Sequence, residues 1–230
     1  MYSTRILMLL VLGTAFAASS MRAQDLSNYR QFRLESDLVS VAKQTGMKPS
    51  DAKTIHDRPA LIQELAWYPN RTLGASTRSP DSVDELRFSF YNGELFQIVI
   101  RYDRDRTKGL TEADLIEAIS AKHGATSNSA GKTITFSSSQ VYNDKETVIA
   151  RWEDEQYSFN LYRSSYQPTF GMVVFSKRLD ILARAAVATA IQLDEQEAPQ
   201  REVDRQNAAA RENRISSEKA RVINKPSFLP

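Results

Sequence analysis

The chain has 230 residues, with 30 Lys or Arg against 28 Asp or Glu, two histidines and no cysteine. The missing cysteines exclude disulfides, thiol catalysis, Cys-ligated zinc and a lipidated N-terminal cysteine. With 41% hydrophobic residues the chain has ordinary globular content, so its fold has to rest on its own core.

Arg5 precedes an apolar run from Ile6 to Phe16, and small residues follow it. This pattern predicts a cleavable secretory signal over residues 1–23. The run is too short to cross a bilayer as a helix. Ala15-Phe16-Ala17 and Met21-Arg22-Ala23 both fit the A-x-A rule, and cleavage after Ala23 is preferred because polar sequence begins at Gln24. The reading makes this an exported protein, periplasmic or secreted, with no transmembrane segment after cleavage. Removing Arg5 and Arg22 leaves 28 basic against 28 acidic residues. That balance gives no electrostatic case for a nucleic-acid partner.

Ser36 reads as an N-cap, and Leu38, Val41, Ala42 and Thr45 then give a short amphipathic helix that Gly46 ends. Pro49 to Ala52 begins a further helical turn. Leu61 to Trp67 is predicted as a strand, and Asn70 to Pro80, rich in turn residues, as a loop. Residues 85–102 alternate strictly on both sides of Asn92-Gly93 and predict a hairpin. A three-residue loop, Tyr91-Asn92-Gly93, would pair Phe88 with Phe96 and Leu86 with Ile98, with both apolar rows on one face.

Asp103 to Gly109 is a charged turn. Thr111 and Asp114 form a capping-box pair at the head of a helix whose apolar face is Leu115, Ile116 and Ile119, and Gly124 ends it. Ala125 to Gly131 is a loop and Ile134 to Phe136 a short strand. A tight turn at Asp154-Glu155 would pair Trp152 with Tyr157, Ala150 with Phe159 and Val148 with Leu161 in a second hairpin. Gly171 to Phe175, apolar on both faces, reads as a central strand. From Leu179 the character changes. Leu182, Ala186, Ala190 and Leu193 make a helical stripe, Pro199 is expected to break it, and residues 200–221 read as a weak, fraying helix before a loose tail from Asn224.

These elements predict an α+β domain over residues 24–178. It divides into two helix-plus-antiparallel-meander halves, 28–103 and 110–178, followed by a charged, helical or partly disordered C-terminal extension over 179–230.

Motifs of chemistry are few. Gly131-Lys132-Thr133 resembles the end of a phosphate loop, but Thr126 stands where glycine is needed, and the element order is helix then strand. Asp103-Arg104-Asp105 resembles the start of a calcium loop, but Lys108 replaces its glycine and Asp114 its last ligand. Any histidine base has to be His56 or His123, and no second member of a triad accompanies either. Glu153, Asp154 and Glu155 sit together at a predicted turn, as solvated turn residues do. Phe88, Phe90, Tyr157, Phe159, Tyr162 and Phe175 recur on the strands, where alternation on one face argues for core first, while Tyr91, Tyr162 and Tyr166 lie off those rows or at loops and are the better surface candidates. No catalytic residue, cofactor site or metal site is assigned.

Phe32-Arg33-Leu34 before a helix carrying Val41, then a hairpin around Phe90-Tyr91-Asn92-Gly93-Glu94-Leu95, resembles the small helix-plus-sheet modules of bacterial envelope proteins. The SmpA/OmlA family and the tandem modules of β-lactamase inhibitor protein are the two meant. The resemblance covers residues 28–102, with a second copy expected over 111–178. Those modules usually carry a glycine after the leucine, where this chain has Glu35. The resemblance implies a non-enzymatic envelope protein that binds other proteins, and it transfers no active-site residue. The expected function is therefore a binding module of the envelope or extracellular space, with a protein or glycan partner met through the sheet and the C-terminal helix. The alternative is an exported hydrolase that uses carboxylate acid/base chemistry. Self-association through the tail is a third expectation.

Overall fold

The computed structural model describes residues 25–69, 81–127, 133–135, 145–164 and 169–227. The predicted signal segment, the loop from Asn70 to Pro80, Gly131, Lys132, Phe136, Tyr166 and the last three residues lie outside them. A two-residue hairpin of β1 (Asn28–Tyr29) and β2 (Phe32–Arg33) leads into α1 (Leu38–Thr45) and a 3-10 turn (Pro49–Asp51). The meander of the first half follows: β3 (Lys53–His56), β4 (Ile62–Trp67), β5 (Val83–Tyr91) and β6 (Glu94–Tyr102). A single turn, α2 (Arg104–Thr107), and α3 (Glu112–His123) open the second half. Its strands are β7 (Thr133–Thr135), β8 (Lys145–Glu153), β9 (Tyr157–Arg163) and β10 (Phe170–Ser176). The last helix, α4 (Lys177–Asn224), is 48 residues long.

All eight strands from β3 to β10 form one antiparallel sheet in the order β3-β4-β5-β6-β10-β9-β8-β7. Each half is a four-stranded meander, and the last strands of the halves meet at the centre, with Val99 opposite Val173. The architecture is the predicted one: α+β, two helix-plus-meander halves and a C-terminal helix. The apolar sequence of β10 has the predicted cause, since the strand is covered on both edges and buried on both faces.

The sheet has a core face and a back face. On the core face Phe32, Leu34, Val41, Phe88, Ile98, Trp152, Phe159 and Leu161 form one fully buried cluster under α1, α3 and the N-terminal hairpin. Phe32 stacks against Phe88 (4.6 Å between centroids) and Trp67 (5.7 Å). Trp152 Nε1 donates to the Gly124 carbonyl (2.9 Å) and to Ser120 Oγ (3.2 Å), which ties the end of α3 to the sheet. Thr111 and Asp114 form the expected capping box at its start.

Both hairpins form, but neither has the predicted register, and Phe96 and Val148 lie on the face opposite the predicted one. In the first, the turn is two residues, Asn92 (φ 50°) and Gly93 (φ 86°), the left-handed pair of a type I′ turn. A bulge between Ser89 and Phe90 then places Phe88 opposite Ile98 and Leu86 opposite Ile100. The extra residue has a packing reason: Leu95 joins the core face while Phe96 joins Ile62 on the back. In the second, the Asp154 carboxylate accepts from the N–H groups of Gln156 (2.8 Å) and Tyr157 (2.6 Å) and draws four residues into the turn. Trp152 therefore faces Phe159 and Ala150 faces Leu161, and a bulge sends Val148 to the back face beside Tyr162.

Other differences are local. Asp37, not Ser36, caps α1, accepting from Ser40 N–H (2.8 Å). The short strands β1, β2 and β3 were not expected. The charged turn contains α2, whose head is capped by the Asp103 carboxylate, the first residue of the segment that resembles a calcium loop. Among the described residues no cluster of His, Asp and Glu could hold a metal ion. Pro199 does not end α4. Its ring removes one helical donor, and one turn earlier Arg201 Nη2 donates to the Asp194 carbonyl (3.0 Å) and carboxylate (2.8 Å). The helix continues through to Asn224, so the expected break and fraying give way to a continuous helix.

Candidate functional site: helix α4 and its flanks

Ser176 caps α4 directly at the end of β10, so the helix turns back over the sheet. Its buried stripe is Leu179, Ala183, Ala186 and Ala190, one step round from the predicted stripe: Leu182 is exposed and Leu193 half-buried. Leu179 and Ala183 pack on Ile62 and Phe96 with Tyr91 and Val187. The small alanines let the helix lie close to the sheet.

Ion pairs pin both ends of this segment. Lys177 Nζ meets Glu153 (2.9 Å) and the Asp154 carbonyl (2.7 Å), and Arg178 meets Glu35 (3.4 Å). At the far edge Arg58 binds the Glu197 carboxylate through both guanidinium nitrogens, at 2.7 and 2.5 Å. Glu35 is in the left-handed region (φ 67°), where glycine costs least. Its carboxylate accepts from Ser176 Oγ (2.7 Å), so this acid holds the start of α4 as no glycine can.

Opposite the buried stripe, Ile181, Ala185, Ala188 and Ile191 fall on one side of the helix and are all exposed; Ile181 is 67% exposed. Beyond Glu197 the helix leaves the domain. From residue 198 to residue 224 only Glu202 is even partly covered, over about 40 Å at 1.5 Å per residue. Side-chain pairs within the helix, Arg205 with Glu202, Gln206 with Glu202 and Gln200 with Asp204, lie along it. Val203, Ile215, Val222 and Ile223 are exposed along it.

The two histidines are far from equivalent. His56, buried, lines a cavity of about 260 Å³ with Thr54, Asp57, Arg58 and Asp194. Asp194 is already engaged by Arg201 and lies 3.8 Å from Arg58. Glu153 and Asp154 are likewise spent on Lys177 and on the turn. The paired acids of a hydrolase are therefore not brought together at the predicted cluster. His123 sits on the core face with its ring 4.8 Å from Phe159, and its Nδ1 is buried with no hydrogen-bond partner among the described residues. Burial, with Lys122 beside it, pushes its pKa down to about 4.

His123 also lines a cleft of about 320 Å³ between the N-terminal hairpin and α3. Leu115, Ile119 and Met172 give it apolar lining, and Tyr29 and Tyr102 line it too. Burial raises the pKa of both tyrosines, so each keeps its proton. Arg30 beside them is held by Asp81 at 2.7 and 2.8 Å.

The strand aromatics are mostly core, as expected. Phe88, Phe90 and Phe159 are fully buried, and Tyr157 and Phe175 are partly so. Of the surface candidates, Tyr91 is half-buried against α4, and Tyr162 is buried with its ring over Gly171, where any Cβ would strike it. The exposed stripe on α4 is readable from the spacing 181, 185, 188, 191. Tyr29 was missed because a two-residue strand has no periodicity to read, and Tyr102 because it reads as the last residue of the alternation along β6.

No family model, no curated protein and no solved structure matches the chain. No helix among the described residues is long and apolar enough to cross a membrane.

Proposed function

We propose that this is an exported, non-catalytic module that binds a protein partner along α4. The observation that carries the reading is the helix itself. It has an apolar stripe on the side away from the sheet and then runs about 40 Å beyond the domain, covered by nothing described. A helix polar or exposed all round gains little from its own contacts, so its length asks for a partner. The signal-like N-terminus supports export, and the resemblance to envelope helix-plus-sheet modules points to a protein partner. The left-handed backbone at Glu35, where those modules carry glycine, agrees with that resemblance.

The hydrolase reading retains one observation, the cavity at His56 with Asp57 and Asp194. The commitment of Asp194 to two arginines counts against it. A photo-crosslinking residue placed in turn at Ile181, Ile191, Ile215 and Val222, with Lys53 on the edge strand as control, tests the binding reading in the producing cell. Adducts of one common mass at the α4 positions and none at Lys53 are expected. Adducts at none of the α4 positions would overturn it.

A further inference from the structure

The far part of α4 carries its charge in two blocks. Asp194, Glu195, Glu197, Glu202 and Asp204 stand against one base, Arg201, a net −4 between residues 194 and 204. Arg211, Arg214, Lys219, Arg221 and Lys225 stand against Glu212 and Glu218, a net +3 between residues 211 and 225. Arg58 of the domain meets Glu197 and brings the first block to −3, so the two blocks balance. The helix dipole favours bases in the last turn, but it gives no reason for acids at mid-helix. Between the blocks lies a run of three small side chains, Ala208-Ala209-Ala210.

Contacts within the helix do not use these charges up. Glu195 has no partner among the described residues, and Asp204 accepts only from the Gln200 side-chain amide (3.0 Å). Arg211, Arg214, Lys219 and Arg221 likewise have no side-chain partner among the described residues. Asp194 with Arg201 and Glu202 with Arg205 are exposed pairs along one helix, of the kind that exchange partners at little cost.

We infer that the far part of α4 binds the same segment of a second copy of this chain, antiparallel, about a two-fold axis at Ala209. The inference rests on the reading of α4 as a binding helix and names its partner. An antiparallel pair lays each basic block along the acidic block of the other copy, whereas a parallel pair sets acid on acid and base on base. The axis at Ala209 sets Val203 opposite Ile215 and Asp204 opposite Arg214 of the second copy, and the two-fold makes each contact twice. Val203 is 49% exposed and Ile215 55%. Positions 200, 203, 204, 207, 211, 214, 215 and 218 follow one another at helical spacing, so they share one side of the helix. The three alanines let the helices approach closely where they cross the axis. The overlap, residues 198 to 220 of each copy, lies within the stretch that has left the domain. Gln200, Asn207 and Arg211 keep the seam polar, which makes the pair weak and reversible.

Sedimentation of the purified protein tests this. The chain is expected to pass from monomer to dimer as its concentration rises through about 1–300 μM. Asp204→Arg and Arg214→Asp, both at exposed positions, each set like charges opposite one another. Each is expected to weaken the dimer at least about tenfold, a factor equal to about 1.4 kcal/mol. The double variant, Asp204→Arg with Arg214→Asp, is expected to restore it. Spin labels on single introduced cysteines are specific, because the chain has none of its own. In the dimer, labels at Asn207 are expected within about 20 Å of each other, and labels at Val222 about 40 Å apart along the helix. A monomer at every concentration would overturn the inference. So would short distances at both labels, or a dimer that neither single reversal weakens, or a double variant that is not rescued. A protein that stays monomeric yet gives α4 crosslinks of a foreign mass would sink this inference and leave the binding reading standing. Crosslinks at no α4 position would remove the binding reading itself.

Discussion

On the core face of the sheet stand Phe88, Trp152 and Phe159; one residue along each strand, on the back face, stand Ser89, Arg151 and Asn160. The first set packs to full burial. The second is also largely enclosed, but its chemistry is polar: Ser89 Oγ, both polar atoms of Gln97 and Arg87 Nε have no hydrogen-bond partner among the described residues. Beside them Glu85 joins Arg87 (3.2 Å) to Arg101 (2.9 Å). One sheet thus carries a face that specifies the fold and a face that is costly to bury. The fold's stability rests on the first. Part of the second, along β5, β6 and β10, lies under α4, a helix rich in alanine and pinned by ion pairs at its ends.

This contrast can be broken by substitution. Trp152→Ala should have the largest effect, about 3–5 kcal/mol of lost stability in denaturant unfolding, because it empties the core face and frees the end of α3. A loss under about 1 kcal/mol would mean that the core face is not the main support.

Next comes pH. His123 has a folded pKa of about 4, against about 6.5 unfolded. The unfolded chain therefore takes up the proton first on acidification. Stability should be complete above about pH 6.5 and fall as pH drops toward 4, by an amount on the order of 1–3 kcal/mol. His123→Leu should flatten that window in unfolding curves taken at several pH values.

On the back face the sign reverses. Gln97→Met removes two unpartnered atoms at nearly constant volume, and unfolding should show no loss, or a gain of about 1 kcal/mol. A loss above about 2 kcal/mol would reveal a partner for the amide.

Glu35→Gly should change stability least, within about 1 kcal/mol, since relief of the left-handed backbone offsets the loss of the bond to Ser176. Its clearer mark is faster proteolysis at the start of α4.

Much of this fold was legible in the sequence, for identifiable reasons. Alternation in 85–102 and 148–161 gave the two hairpins, the Thr111–Asp114 box gave the head of α3, and the doubly apolar 171–175 gave the centre of the sheet. Registers were not legible, because the first depends on a bulge and the second on the length of its turn. A bulge at Phe96 is chosen by what packs behind it, and Asp154 closes its turn with a side chain that no pattern of hydrophobicity records. The continuation of α4 past Pro199 was missed for a related reason: the local rule against proline is overridden by the pairs on either side. The cleft at Tyr102 joins residues 29, 102, 123 and 172, and only the closed sheet puts them together.

Amide hydrogen exchange along α4 tests the central claim most directly. In the dilute, isolated protein the account predicts slow exchange from Leu179 to Ala190, where the helix lies on the sheet, and fast exchange from Val203 to Asn224. Slow exchange throughout, unchanged on further dilution, would mean that the distal helix is already packed against its own domain, and that it offers no surface to a partner.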